Sequence, residues 1–284
     1  MRPAILFVVI DPTTQSQRAL KRAEQLAVDT GAQLYLFCCQ YQQDLSKFES
    51  RKDAKHDVLQ EAREQLELLA QPLRDEGLKV DCEAYWNQDW QGSIVRAASR
   101  VGADLILKSS DPHSYLQRHF QKTSDFTLLR HATCSVLLVR DEGPWVEQNL
   151  LAAVTLDTED SAHDLLNNSI ITEAQRLAQA TQSTLHCVTA INPNSDIADV
   201  LKLLENEELH SSEERISERF GIDPDRVHIQ RGQAADVVCT TARDLRIDVL
   251  VMGTVARQGV AAMVLGNTAE QIIDKVDMDI LVVS

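Results

Sequence analysis

The chain repeats itself, and no other feature constrains its fold as much. Shifted by 144 residues, "DLILKS" (104–109) falls on "DVLVMGT" (248–254) and "SVLLVR" (135–140) falls on "DILVVS" (279–284), with no gap between them. "ILFVVID" (5–11) meets "NLLAAVT" (149–155) at the same shift. Between these anchors the shift is 151, where "AEQLAVDTGAQL" (23–34) meets "AQRLAQATQSTL" (174–185). The second half therefore gains seven residues after its first strand and loses them before its third. A fold built twice must close its core within about 140 residues, an ordinary domain size.

Each half has the same rhythm. Short apolar runs, "AILFVVI", "QLYLFCCQ" (33–40), 78–86 and the two anchors in the first half, alternate with longer amphipathic stretches. The second half repeats this with "LLAAVTL", "TLHCVTAI" (184–191), 225–231 and its two anchors. Helices are expected at 47–76, with a kink at Pro72, at 91–101, at about 196–220 and at 234–246. Apolar runs too uniform for a half-wet sheet, joined by helix-length crossovers, imply βαβ units and a buried, mostly parallel sheet. Right-handed crossovers give a five-stranded open α/β sandwich with helices on both faces in each half. The domains are read as 1–140 and 149–284, joined by the linker 141–148, where Gly143-Pro144 break regular structure.

Charge narrows the partners. Through Pro144 the chain has 18 basic and 20 acidic residues; after it, 10 and 23. The resulting net charge of −15 disfavours nucleic acid and anionic membrane. No 18-residue apolar run exists, and "MRPAILFVVIDP" reads as a first strand rather than a leader, so a cytoplasmic protein is expected. The six cysteines have no CxxC or zinc spacing and read as buried free thiols. Cys38 and Cys39 are adjacent, but along a strand they face opposite ways. No metal site is expected: the eight histidines have no HxxxH or HExxH spacing, His113 and His119 are the best surface pair, and His186 reads as a core or edge histidine. GxxxxGK[ST], a GxGxxG after the first strand, and GxSxG are all absent.

One stretch suggests a ligand. "MGTVARQGVAAMVLGNTAEQ" (252–271) begins where the second half's fourth strand ends, beside the switch in strand order where open α/β sheets bind ligands. Gly253 lets the chain turn without a Cβ in the crevice, Thr254 and Gly259 line the turn, and Arg257 is placed to clamp a phosphate. Gly266, Asn267 and Thr268 open the last helix, whose free N–H groups and dipole favour an anion. The same residues also read as a capping box, with Asn267 as N-cap and Glu270 reaching back. The residues alone fit both readings.

The stretch resembles the C-terminal motif of the universal stress protein family, G-x2-G-x9-G-[S/T]. Gly253 fits its first glycine and Gly266 its third, while Ala256 stands at the second and Asn267 at the Ser/Thr position. The tandem halves and "GTVARQGVAAMVLGNTAEQIID" are most similar to the type E branch, in which two such domains are fused. The resemblance implies two Rossmann-like domains of the adenine nucleotide alpha hydrolase kind. It implies a stress-response protein that is not an enzyme, supporting survival of DNA damage, oxidants or oxygen limitation. It implies ATP or another nucleotide-like ligand, held by the glycine motif and by an acid ending the first strand. Asp11 is that acid in the first half; the second has Thr155 there, with Asp157 two residues on. The first half has Ser109, Pro112 and Lys122-Thr123 in place of the motif, so neither half is complete and the second is the better site. A protein partner is expected to read the bound state. The halves are expected to pair within one chain through their last strands, which would make a monomer sufficient. A weak ATPase using Asp157, or an interaction scaffold with an empty crevice, are the alternatives.

Overall fold

The computed structural model describes residues 2–111, 122–155, 161–191, 206–254 and 266–283. The chain divides into two compact units, Met1–Glu142 and Gly143–Ser284. In unit 1 the elements run β1 (Ile5–Val9), α1 (Arg18–Thr30), β2 (Gln33–Gln40), α2 (Arg51–Asp75), β3 (Val80–Trp86), α3 (Trp90–Val101), β4 (Leu105–Ser109), α4 (Lys122–His131) and β5 (Ser135–Val139). In unit 2 they run β6 (Asn149–Ala153), α5 (Ser161–Thr181), β7 (Thr184–Ile191), α6 (Asn206–Phe220), β8 (Val227–Arg231), α7 (Ala234–Asp244), β9 (Val249–Gly253), α8 (Asn267–Lys275) and β10 (Asp279–Val283).

Within unit 1 the strand order is β3-β2-β1-β4-β5, and within unit 2 it is β8-β7-β6-β9-β10. All pairings within each unit are parallel. Phe7 and Val8 point to opposite faces of β1 and both are fully buried, as are Leu150 and Leu151 on β6. That burial explains the unbroken apolar runs: helices cover both faces, so no alternate position is left for water. Phe7 stacks on Tyr35 at 5.5 Å between ring centroids and tilts against Phe37 at 5.2 Å. The chain moves one way from β1 to β3, then returns past β1 to β4. With right-handed crossovers α3 and α4 must then lie on the face opposite α1 and α2.

Local chemistry sets the element ends. α1 and α3 each stop at a glycine in the left-handed conformation, Gly31 at φ 68° and Gly102 at φ 67°. α2 starts on Ser50, whose hydroxyl accepts from the Asp53 N–H. Pro72 sits in the last turn of α2, where it lacks an N–H for the Leu68 carbonyl. The expected strands at 33–40 and 184–191 match β2 and β7 residue for residue. Of the helix expected at about 196–220, α6 covers 206–220, and 192–205 lie outside the described residues. The seven-residue insertion has a location. α5 has 21 residues where α1 has 13, so the extra length extends the helix at its start.

Candidate functional site

In each unit the first and fourth strands are neighbours at the point where the strand order reverses, and their carboxyl ends open a crevice. The chain leaving the first strand is held there by a side-chain amide. In unit 1, Gln17 donates from Nε2 to the Asp11 carbonyl at 2.7 Å and accepts the Asp11 N–H at 3.1 Å. In unit 2, Asn167 donates from Nδ2 to the Thr155 carbonyl at 2.7 Å and accepts the Thr155 N–H at 3.1 Å. Gln17 and Asn167 are both buried, so these bonds replace backbone partners that water cannot supply. This shared clamp was not legible in the sequence, because one amide precedes its helix and the other lies inside the longer α5. Clamping fixes Asp11 and Thr155 at the crevice. Asp11 Oδ1 accepts from the Thr13 N–H and hydroxyl at 2.8 and 2.6 Å, and Thr155 is exposed.

The ends of the fourth strands differ more. Ser110 and Thr254 are equivalent: each donates its N–H to the last residue of the fifth strand, at 2.9 and 3.2 Å. In unit 1, Ser109 Oγ accepts the Ala19 N–H at 3.1 Å, which ties β4 to the start of α1. Lys108 Nζ lies 2.7 Å from Asp125 Oδ1 and donates to the Ser109 carbonyl at 3.0 Å. Ser110 Oγ donates to Asp125 Oδ2 at 2.6 Å. Asp125 is buried in the first turn of α4, so its charge also faces the positive end of that helix. The residues 144 positions on are Met252, Gly253, Thr254 and Ala269, which carry no ion pair of this kind.

Gly253 has a packing reason that the sequence did not show. A Cβ built there would lie 2.7 Å from both Cδ2 and Cγ of Leu166, on α5. The glycine thus makes room for the lengthened helix, whatever else enters the crevice. The last helix also departs from expectation. Gly266, not Asn267, is the N-cap (φ −74°, ψ 154°), and among the described residues no side-chain cap hydrogen bond is formed. The capping box is therefore not formed: Asn267 is already helical and exposed, and Glu270 donates its N–H to the Gly266 carbonyl at 3.0 Å. Thr268 is exposed beside it. Only Val276–Met278 separate α8 from β10, which places the C-terminus of α8 at the amino edge of the sheet. Its N-terminus then points toward the carboxyl edge, where Thr155, Gly253 and Thr254 lie. Asp157, Ala256, Arg257 and Gly259 lie outside the described residues.

Unit 1, the half with the poorer motif, holds a cavity of about 860 Å³ at its crevice. Asp11 just after β1, Cys39 from β2 and Tyr41 just after it, Lys108 from β4, Glu61, Glu64 and Leu68 from α2, and Trp90 from α3 line it. Of these, the sequence had singled out only Asp11 for a ligand role.

His186 Nδ1 and His228 Nε2, on adjacent strands, lie 3.2 Å apart with their rings stacked at 5.4 Å. Burial, the facing His228 and nearby Arg226 hold His186 below the usual histidine range; burial does the same to His228 against the pull of Glu213. Burial pushes the Cys38 and Cys187 thiols up to about 12, and no disulfide forms among the cysteines. Among the described residues no three His, Cys, Asp or Glu side chains cluster to hold a metal, and no helix is long and apolar enough to cross a membrane. His113 and His119 lie outside the described residues.

Comparison with known proteins agrees with the repeat. The profile of the universal stress protein family matches residues 4–140 and again 154–284. Universal stress protein E of Escherichia coli K12 is 28% identical over 98% of this chain and 93% of its own length. A crystal structure of a functionally unknown protein from Pseudomonas aeruginosa PAO1 superposes with a TM-score of 0.77 at 30% identity, covering 99% of this chain and 92% of that one. A universal stress protein from Archaeoglobus fulgidus shares the fold, with a TM-score of 0.72 at 18% identity over 99% of this chain and 98% of its own.

Proposed function

The chain belongs to the universal stress protein family, and from that premise we propose that it is a non-catalytic stress-response protein whose unit 2 senses a small phosphate-bearing ligand, ATP or another nucleotide. The observation that carries this reading is the start of α8. Its N-cap is a glycine, which has no side chain to cap the first turn, and it points toward the strand ends that carry Thr155 and Thr254. Uncapped N–H groups and the helix dipole suit a phosphate. Equivalent groups in unit 1 face a carboxylate of the chain itself, Asp125. Gly253, Gly266, Asn267 and Thr268, with Ala256, Arg257, Gly259 and Asp157 on the intervening segments, would form the site. A protein partner would read its occupancy under stresses such as DNA damage, oxidants or oxygen limitation.

Native mass spectrometry of freshly purified protein, followed by titration with ATP and magnesium, tests this. One nucleotide per chain is expected. Thr268→Glu is the informative variant, because an acid in the first turn favours the helix but repels phosphate. It should leave stability unchanged or slightly raised and weaken the nucleotide by roughly tenfold or more. Unchanged affinity would remove the α8 site. Magnesium-dependent ATP turnover lost in Asp157→Asn would replace this reading with an enzymatic one.

A further inference from the structure

We propose that the crevice of unit 1 is a separate ligand site, selective for a small organic cation with an apolar body and closed to phosphate. Its cavity of about 860 Å³ falls in the size range of small-molecule sites. Two independent features set its chemistry.

The first is the end where a phosphate would sit. Lys108 reaches the lining, but its ammonium is held 2.7 Å from Asp125 and by the Ser109 carbonyl. Both partners of that pair are largely withdrawn from water, with side-chain exposures of 14% and 3%. The carboxylate takes both the lysine and the first turn of α4, the two features that would attract an anion. A phosphate entering here would have to displace a buried charge that already has its partner, which is costly. The second is the mouth. Among the described residues, Asp11, Glu61 and Glu64 put three carboxylates on the lining against one committed lysine. Between them are apolar surfaces: Leu68, 76% exposed at the rim, and the rings of Tyr41 and Trp90. Carboxylates beside aromatic faces hold a protonated amine by charge and by cation–π attraction, and the apolar walls hold its body. No nucleotide binding to unit 2 is assumed, and the two sites can be tested separately.

The probes are phenethylamine, 2-phenylethanol and phenylacetate, which share one ring and differ in charge. Saturation-transfer NMR and calorimetry on the full chain would rank them. Phenethylamine should bind at least roughly tenfold more tightly than phenylacetate, with the alcohol between, and added salt should narrow the gap. Glu61→Gln with Glu64→Gln changes two exposed side chains, so folding is retained and most of the preference for the amine should disappear. Asp125→Asn keeps the shape and the Ser110 contact but frees Lys108, so phenylacetate should gain affinity. Thr268→Glu should leave phenethylamine binding unchanged, whatever it does to ATP. Equal or tighter binding of phenylacetate by the wild-type chain overturns the proposal. So does a preference that survives in the double variant, or no binding of any probe at millimolar concentration.

Discussion

Gly253→Ala separates the two reasons a glycine could stand at the crevice of unit 2. Its backbone is ordinary strand, with no positive φ, so an alanine meets no conformational barrier. By lowering the entropy of the unfolded chain the methyl would stabilise by about 0.4–1 kcal/mol. Against that, it would lie 2.7–2.8 Å from Cγ and both Cδ atoms of Leu166, about 1 Å inside carbon–carbon contact. Overpacking of this size costs about 1–3 kcal/mol. The difference runs from about zero to a net loss of about 2.6 kcal/mol. Trp145 makes this readable, because it alone of the three tryptophans lies in unit 2, where its Nε1 donates to Asp279 at 2.9 Å. In a Trp86→Phe, Trp90→Phe background, urea unfolding followed by Trp145 fluorescence reports unit 2. The midpoint should fall by up to roughly 1.3 M for a urea slope near 2 kcal/mol/M. Leu166→Ala removes the obstacle, and in that background Gly253→Ala should change sign and stabilise. A coupling of about 1–3 kcal/mol is expected between these neighbours. Additive effects, or a stable Gly253→Ala single variant that loses only nucleotide, would refute the packing argument.

The other predictions use the same assay or a simple label. Asn167→Ala strips the Thr155 backbone of two hydrogen bonds and should cost unit 2 about 1–3 kcal/mol, as Gln17→Ala should in unit 1; a loss under a few tenths would mean water replaces the clamp. His186 and His228 are depressed in the fold, so as pH falls the unfolded chain takes protons first. Unit 2 should therefore keep its full stability above the ordinary histidine value of 6.5 and lose it as pH drops below. His186→Phe with His228→Phe should flatten that part of the profile, and an unchanged slope would clear the pair of any part in it. At pH 8 a thiol with its pKa near 12 is about one part in ten thousand thiolate, so iodoacetamide should spare Cys38 and Cys187 and reach the half-exposed Cys39 earlier. Peptide mapping by mass spectrometry reads that order.

Most of the fold was legible because it rests on patterns of residue type. Runs such as 5–10 and 34–39 are apolar at every step, which only a sheet covered on both faces demands, and the 144-residue shift placed the second copy on the first. The start of α8 was misread for a local reason. Asn267 and Glu270 have the right spacing for a capping box, but spacing does not say where the first helical turn begins. The backbone enters the helix one residue earlier, at Gly266, and leaves Asn267 with no cap to make. The cavity of unit 1 was missed for a different reason. Its walls come from five elements spread over about 100 residues, and Glu61, Glu64 and Leu68 read as an ordinary solvated helix face until α2 is laid over the strand ends.

The two halves show what duplication preserves and what it releases. The clamp at the first strand is kept, although its residue has moved from the helix cap in unit 1 to the helix interior in unit 2. The backbone bond from Ser110 or Thr254 to the fifth strand is kept as well. Those contacts hold the strand ends and are needed whatever the crevice contains. The fillings have diverged as sets rather than one residue at a time. Lys108 and Asp125 each lose a withdrawn counter-charge if the other is removed, so Met252 and Ala269 in unit 2 make sense together. Gly253 and Leu166 are linked in the same way by the longer α5. A single exchange between the halves, such as Met252→Lys, should therefore destabilise unit 2. Met252→Lys with Ala269→Asp should recover much of the loss and abolish the anion binding proposed at α8. If the double exchange proves no more stable than the single one, the crevices differ by drift and not by two coherent chemistries.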